Sequence, residues 1–143
     1  MKHAVCAFIV DANNRVLSVS RKDNHNDKGL PGGKVEDDET HLEALQREVF
    51  EETGLTVVEY RRIFTKKQSN HEVVTFLCKT TGEISTTEKG LVEYISIDRL
   101  LSKDNTFWEY NTAMIRSILT QHFEQSIENK YNGDLVTTNK IIL

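Results

Sequence analysis

The chain has 143 residues, a formal net charge of −4 and 28% charged residues, which is an ordinary globular composition. That length is sufficient for one domain with its own hydrophobic core, and no run is apolar and long enough for a membrane span. The negative charge disfavours a dedicated nucleic-acid binder, which usually carries a basic patch. A nucleotide substrate stays compatible with it, because a bound divalent cation offsets local negative charge.

Cys6 and Cys78 are the only cysteines, and they lie far apart in apolar runs. This spacing indicates buried free thiols in a reducing compartment rather than a disulfide or a metal pair. The N-terminal residues show no cleavable signal pattern. We therefore expect a cytoplasmic protein.

The first part of the chain predicts strands separated by turns. Residues 4–10 form a nearly continuous apolar run typical of a buried strand, and 16–19 resume a strand after the turn residues 11–14. We expect these two strands to form a hairpin. Residues 21–29 are polar and rich in Asn and Asp, which predicts a loop.

Residues 40–53 have the pattern of a helix. Thr40 and Glu43 match a capping box, and Gly54 stands where a left-handed C-terminal cap is expected. The apolar residues that share one helical face are Leu42, Leu45 and Val49.

The rest of the chain predicts further strands and one long helix. Strand pieces are expected at 55–58 and 63–64, strands at 73–79 and 92–97, and an amphipathic helix at 107–131. No repeat or low-complexity linker divides the chain. We therefore interpret 1–131 as one domain, followed by a tail, 132–143, for which an extra strand and a loose end both fit.

Glu48, Glu51 and Glu52 carry the strongest chemical signal. Positions i, i+3 and i+4 share a helical face, so three carboxylates crowd within about one turn. Each like-charge pair costs about 0.2–0.5 kcal/mol in an isolated helix, and the helix dipole disfavours each anion there by about 0.3–1 kcal/mol. A hard divalent cation would relieve this repulsion, and oxygen ligands suit Mg²⁺ or Mn²⁺. A lone Glu-x-x-Glu-Glu is otherwise typical of a solvated acidic face.

The spacing around these glutamates resembles the Nudix box. Gly33 is followed after five residues by Glu39, and after seven more by Arg47-Glu48-Val49-Phe50-Glu51-Glu52-Thr53-Gly54-Leu55. Every fixed position of the box is filled, and such a long motif is far more specific than a short one. The resemblance implies an α/β fold, the Nudix-type α/β/α sandwich with a mixed central β-sheet. It also implies hydrolysis of a diphosphate linkage, assisted by Mg²⁺ or Mn²⁺.

The resemblance further implies roles for single residues. Arg47 would orient the glutamates through charge-assisted hydrogen bonds, with Glu39 paired to it. A carbonyl of Gly32 or Gly33 would complete the metal shell. The implied metal ligands are Glu48, Glu51, Glu52, Gly33 and Glu88, and the implied catalytic residues are Glu48, Glu51 and Arg47. The general base is open between Glu48 and Glu88, which precedes a late strand and is equally compatible with a solvated turn.

Substrate contacts are predicted outside the glutamates. Arg21, at the end of the second strand, is suited to a pyrophosphate contact, although a surface cation fits equally well. Gly32 and Lys34 belong to the entry of the box. Asn111 follows three aromatic residues near the start of the last helix, where some MutT-like enzymes hold a base by stacking and an amide. Aromatics at helical spacing are also typical of a core; these three are Phe107, Trp108 and Tyr110.

The expected substrate follows by elimination within the family. The chain has no proline after Pro31, and the marker tyrosine of many dinucleoside polyphosphate hydrolases is not seen. We therefore expect a nucleoside triphosphate, oxidised or otherwise modified ones included, to be cleaved to monophosphate and pyrophosphate. The alternatives are hydrolysis of ADP-ribose or a dinucleoside polyphosphate, a non-catalytic nucleotide-binding module, and an isoprenoid diphosphate isomerase, for which Cys78 is the only support. We expect a monomer or homodimer that binds neither a nucleic-acid polymer nor a membrane.

Overall fold

The computed structural model describes residues 2–85 and 90–131, with side chains through residue 122 and at residue 124. Glu88 and the predicted tail 132–143 lie outside the described residues. The elements in chain order are β1 (Lys2–Phe8), β2 (Val16–Arg21), β3 (Asn24–Gly29), β4 (Gly32–Lys34), α1 (His41–Thr53), β5 (Thr56–Gln68), β6 (His71–Thr81), β7 (Val92–Ile95), α2 (Ile97–Leu100) and α3 (Trp108–Tyr131).

The described strands form two sheets. In the first, with the order β4-β1-β6-β5, β1 pairs parallel with β6, whereas the other neighbours pair antiparallel. The second sheet, β3-β2-β7, is antiparallel throughout. The predicted α/β class with a mixed sheet is therefore confirmed.

Strand β1 supplies side chains to hydrophobic cores on both of its faces, as expected for alternating strand residues. Val5 and Ala7 pack in one core with Leu45 of α1. Phe8 packs in the other with Met114 of α3. The two helices thus cover opposite faces of the sheet, and complete burial of one side chain such as Phe8 stabilises the fold by about 1.5–3 kcal/mol.

Helix α1 begins and ends as its sequence predicts. The Thr40 hydroxyl accepts from the Glu43 N–H at 3.1 Å, and the Glu43 carboxylate accepts from the Thr40 N–H at 3.0 Å. Gly54 adopts the left-handed conformation, with φ of 80°, and its N–H donates to the Phe50 carbonyl. A Cβ at position 54 would overlap the backbone of Ser85, so glycine is required there for space as well as conformation.

The hairpin expected in the first thirty residues is present only near its turn, where Val10 and Val16 form an isolated antiparallel bridge, and the expected loop is wrong. β1 and β2 belong to different sheets, and the hairpin partner of β2 is β3, with Val19 opposite Gly29 and Ser20 opposite Lys28. The polar segment 21–29 therefore contains a strand rather than only a loop.

Side-chain bonds explain how a polar segment becomes a strand. Asp27 accepts a hydrogen bond from the Thr106 N–H at 2.9 Å. The Lys28 side chain is only 5% exposed, and its ammonium lies 2.6 Å from the Glu93 carboxylate of β7. Because these partners are distant in sequence, local polarity gives no indication of them.

The later elements largely follow the sequence. The two strand pieces at 55–58 and 63–64 are parts of one continuous strand, β5, and the predicted strand at 92–97 ends at Ile95, where α2 follows. The long last helix is confirmed as α3. Within the described part of the chain, no helix combines the length and apolarity that a membrane crossing demands.

The capping box gives a first test of the fold. Replacement of the N-cap Thr40 by alanine should lower the free energy of unfolding by about 1 kcal/mol, because the Glu43 N–H loses the hydroxyl to which it donates. Urea denaturation of Thr40→Ala measures the change. The control is Thr120→Ala on the exposed surface of α3, and an equal change in both variants would contradict the cap.

Candidate active site

Arg47 connects the acidic residues of the site. Its guanidinium makes two hydrogen bonds with the Glu39 carboxylate, at 2.7 and 2.9 Å. It also donates to Glu48 at 2.9 Å, to Glu51 at 3.3 Å and to the Lys34 carbonyl at 3.1 Å. These contacts use as many bonds as a guanidinium has N–H donors. The expected orienting contacts of Arg47, including the pair with Glu39, are present.

Arg47 already offsets part of the repulsion that the sequence predicts among the carboxylates of α1. Three glutamates on one helical turn do repel one another, but Arg47 already supplies a positive charge to Glu48 and Glu51. The protein therefore tolerates this cluster through its own side chains. Repulsion alone does not require a bound metal.

Glu48 lies against the loop that precedes α1. Its side chain is only 17% exposed, and a Cβ on Gly33 would overlap its carboxylate. Burial raises the pKa of Glu48 above its ordinary value, against the lowering effect of the Arg47 hydrogen bond. The absence of a side chain at position 33 is what allows the carboxylate to approach the backbone.

Glu52 joins the other end of the acidic face to the same loop. Its carboxylate accepts a hydrogen bond from the Gly32 N–H at 2.7 Å. Gly32 and Gly33 belong to β4, which pairs with β1. Two of the three predicted carboxylate ligands in α1 thus contact adjacent glycines of one short strand.

The donor atoms at this place fit a hard divalent cation, because they are carboxylate oxygens and backbone carbonyls. Within residues 2–85 and 90–131, however, no three His, Cys, Asp or Glu side chains form a group arranged to hold a metal ion. Arg47 holds Glu48 and Glu51, while Glu52 is turned to Gly32. The ligand set Glu48, Glu51, Glu52 and Gly33 stays a prediction.

An open cleft of about 520 Å³ extends from Glu52 and Gly32 to the predicted phosphate contact Arg21. We call it the carboxylate cleft; its other lining residues include Ser20, Lys22, Asp27, Leu30 and Phe107. Arg21 makes a long ion pair with Asp23 at 4.0 Å, and half of its side chain is exposed. Arg21 is thus on the same cleft as a glutamate of the box.

A smaller cavity of about 160 Å³ adjoins this cleft. We call it the apolar cavity; its main lining residues are Ala4, Cys6, Leu30, Phe107, Tyr110 and Asn111. Leu30, Gly32 and Phe107 line both spaces. The predicted aromatic and amide residues Phe107, Tyr110 and Asn111 therefore come together, whereas Trp108 lies instead beneath the Lys103 ammonium.

Asn111 lines the apolar cavity with a buried donor that is unused within the part of the chain that the structure describes. It is 2% exposed, and its amide nitrogen is buried with no hydrogen-bond partner among them. Burial also raises the pKa of Cys6 to about 11 and raises that of Tyr110, so both groups keep their protons near neutral pH.

Lys34 does not line the carboxylate cleft or the apolar cavity. It lines a separate polar cleft with His3, His41 and Glu39, and its carbonyl accepts from Arg47. The position of Lys34 therefore does not support its predicted contact with substrate.

Cys6 and Leu30 line the apolar cavity but were not among the expected site residues. The signal for Cys6 was available, because alternate residues of a strand share a face. Ala4 and Cys6 line the cavity, and Phe8 packs in the core on that side of β1. No local pattern distinguishes Leu30, which faces the site only because β3 and β4 lie where they do.

Comparison with known proteins agrees with this geometry. A family model described as the NUDIX domain matches residues 1–116. The chain belongs to the Nudix family. A MutT-like protein of Streptomyces ambofaciens is 32% identical over 101 residues, which make up 68% of this chain and 65% of that protein. The Nudix chain thus spans just under two thirds of that relative's length.

Similar solved structures support the same fold. One, from work on MutT of Aliivibrio salmonicida and Vibrio cholerae, is 24% identical with a TM-score of 0.68, over 84% of this chain and 98% of that one. An ADP-ribose pyrophosphatase from Streptococcus suis is 26% identical with a TM-score of 0.59, over 68% of this chain and 75% of that one.

The Arg47–Glu39 pair predicts a pH dependence of stability. Hydrogen bonds from Arg47, then from the Glu36 backbone, lower the pKa of Glu39 to about 2 from an ordinary value of 4.5. Between these pH values the unfolded chain binds more protons at this group, so the free energy of unfolding should rise with pH.

Urea denaturation across this acidic range measures the effect. Glu39→Gln should show a smaller rise than the wild type, because it lacks the titrating carboxyl. Glu59→Gln, whose ion pair with Lys79 is exposed, should retain the wild-type slope. A wild-type slope in Glu39→Gln would rule out the coupling.

Proposed function

We propose that this Nudix chain hydrolyses a nucleoside triphosphate to the monophosphate and pyrophosphate, with Mg²⁺ or Mn²⁺. The observation that carries the proposal is the continuity of an apolar cavity with a cleft that contains a Nudix-box carboxylate. Leu30, Gly32 and Phe107 line both spaces. A flat apolar group joined to a charged phosphate chain matches this pair of surfaces.

The apolar cavity suits the base. Leu30 and Phe107 offer apolar contact, and aromatic side chains stack favourably on nucleobases. A buried donor without a partner costs about 1–3 kcal/mol, and the Asn111 amide nitrogen is such a donor. A base that presents an acceptor to Asn111 would offset that cost, which favours a heterocycle over a purely apolar group.

The carboxylate cleft suits the phosphates. Arg21 lines it and can form paired hydrogen bonds with phosphate oxygens. Glu48, Glu51, Glu52 and the Gly33 carbonyl would hold the cation, which when bound neutralises phosphate charge and lowers the pKa of water. Arg47 and Gly32 would hold the carboxylates of Glu48 and Glu52 near their positions before substrate binds.

Glu48 is the proton acceptor that its surroundings favour. It is the more buried of the two α1 glutamates paired with Arg47, and burial raises its pKa, which strengthens a carboxylate as a base. In this role it would take a proton from the attacking water. Glu88, the other predicted base, lies outside the described residues.

The central test is a nucleotide panel with Mg²⁺ or Mn²⁺. Pyrophosphate release from at least one nucleoside triphosphate is expected, and coupled phosphate detection measures it. ADP-ribose belongs in the panel because a similar structure is that of an ADP-ribose pyrophosphatase. Binding without turnover of any diphosphate derivative would support the non-catalytic module instead.

Glu52→Gln tests the ligand assignment. The loss of one carboxylate charge should reduce kcat by about 100-fold or more, because cation binding contributes several kcal/mol to stabilisation of the transition state. The amide can still accept from Gly32, so the fold should survive, as circular dichroism would show. Glu59→Gln is the matched control, and activity within a few-fold of wild type in both variants would refute the assignment.

Gly33→Ala tests the close approach of Glu48 to the loop. The new methyl group would overlap the Glu48 carboxylate, so turnover should fall by at least about 10-fold. The control is Thr120→Ala on the exposed surface of α3, which lines neither the cleft nor the cavity. Steady-state kinetics compare the two, and equal activity would contradict the proposed position of Glu48 in catalysis.

A further inference from the structure

Three side chains are connected by hydrogen bonds beside the apolar cavity. The Cys6 sulfur, on the cavity wall, lies 3.1 Å from the Thr75 hydroxyl oxygen. Thr75 is completely buried, and its oxygen lies 2.8 Å from the Tyr110 hydroxyl. Tyr110 in turn donates to the Val73 carbonyl at 3.2 Å. Each of the three side chains has one proton to donate.

The last contact fixes the direction of the whole chain. A backbone carbonyl only accepts, so the single proton of Tyr110 is used on Val73. Thr75 must then donate its own proton to Tyr110. Its oxygen is left to accept, so the contact with Cys6 requires the thiol to be the donor. The S–H bond therefore points away from the cavity, and sulfur lone pairs remain on the cavity side.

We propose that this chain makes Cys6 an acceptor in the base site, beside the donor of Asn111, and so selects the donor–acceptor pattern of the base. Cys6 is then a specificity-determining residue, with Thr75 and Tyr110 as positioning residues. This proposal rests on the proposed function, because it takes the apolar cavity as the base site. The ligand class is a heterocycle that presents an acceptor to Asn111 and an N–H to Cys6.

Two independent features point to this cavity as the place of recognition. The Asn111 amide nitrogen is a buried donor without a partner among the described residues, in a side chain that is only 2% exposed. The Cys6 sulfur is oriented by Thr75, which does not line the cavity, and Thr75 is oriented by Tyr110. One buried donor and one acceptor of fixed direction in the cavity wall discriminate bases more strongly than apolar contact does.

The test uses two probes of similar shape and opposite polarity. Inosine triphosphate has an oxygen at position 6 and an N–H at position 1, whereas ATP has an amino group and a bare ring nitrogen there. The ratio of their kcat/KM values is measured for wild type, Tyr110→Phe, Cys6→Ala and Cys6→Ser. Tyr60→Phe, at an exposed tyrosine of β5, is the control for the loss of a hydroxyl.

The wild type should have the higher kcat/KM for inosine triphosphate, because this nucleotide presents an acceptor to Asn111 and an N–H to Cys6. Tyr110→Phe lets the Thr75 proton turn toward sulfur and frees the thiol proton, so the ratio should move toward unity by about 2- to 10-fold, the range of one hydrogen bond. Cys6→Ala should do the same, while Cys6→Ser and Tyr60→Phe should keep the wild-type preference. A general loss of packing would lower both kcat/KM values and leave their ratio unchanged.

Calorimetry with inosine and adenosine monophosphates gives the corresponding ratio of dissociation constants, which does not depend on catalysis. Binding with discrimination but no hydrolysis would contradict the proposed reaction and still support the role of Cys6. Hydrolysis with an unchanged ratio in Tyr110→Phe and Cys6→Ala would overturn the role of Cys6 alone. Absence of discrimination in the wild type, or of binding to either nucleotide, would also overturn it.

Discussion

The contact of one arginine with three glutamates is the constraint on which the site depends. Arg47 lies in the middle of α1, and its guanidinium reaches Glu39 before the helix as well as Glu48 and Glu51 within it. Without it, Glu48 and Glu51 would repel each other in the half of the helix where the dipole already disfavours them. With it, their positions are fixed before any ligand binds, which reduces the reorganisation that catalysis would require.

The short strand β4 connects the carboxylates of α1 to the rest of the site. Glycine at position 33 leaves space for the Glu48 carboxylate, and the Gly32 N–H binds Glu52. Both glycines pair with β1, where Cys6 lies opposite Gly32. The acidic helix and the wall of the apolar cavity are therefore one hydrogen-bonded unit. Substitutions in the cavity wall and substitutions of the carboxylates therefore affect adjacent segments of backbone.

Local sequence patterns predicted the parts of the fold that depend on nearby residues. The capping box of Thr40, the left-handed Gly54 and the amphipathic face of α1 involve partners within a few positions, and all are confirmed. The acidic cluster and its arginine were recognised for the same reason. The motif spacing also led to the correct family.

Distant pairings explain what the sequence alone did not predict. The strand β3 depends on Asn105, Thr106 and Glu93, which are more than sixty residues away from their partners. The chain from Cys6 through Thr75 to Tyr110 joins three separate elements, so no window of sequence contains it. Arg21 and Asn111 were each predicted to contact substrate. That Arg21 lines the carboxylate cleft and Asn111 the adjoining apolar cavity depends on how β2 and α3 pack, which the sequence does not show.

The most direct test of the whole account is a crystal structure with Mg²⁺ and a nucleoside triphosphate analogue that resists hydrolysis. The account predicts a cation between the phosphates and the carboxylates of Glu48 and Glu52, with the base in the apolar cavity against Asn111. Phosphates bound away from these glutamates, or a base outside that cavity, would contradict it.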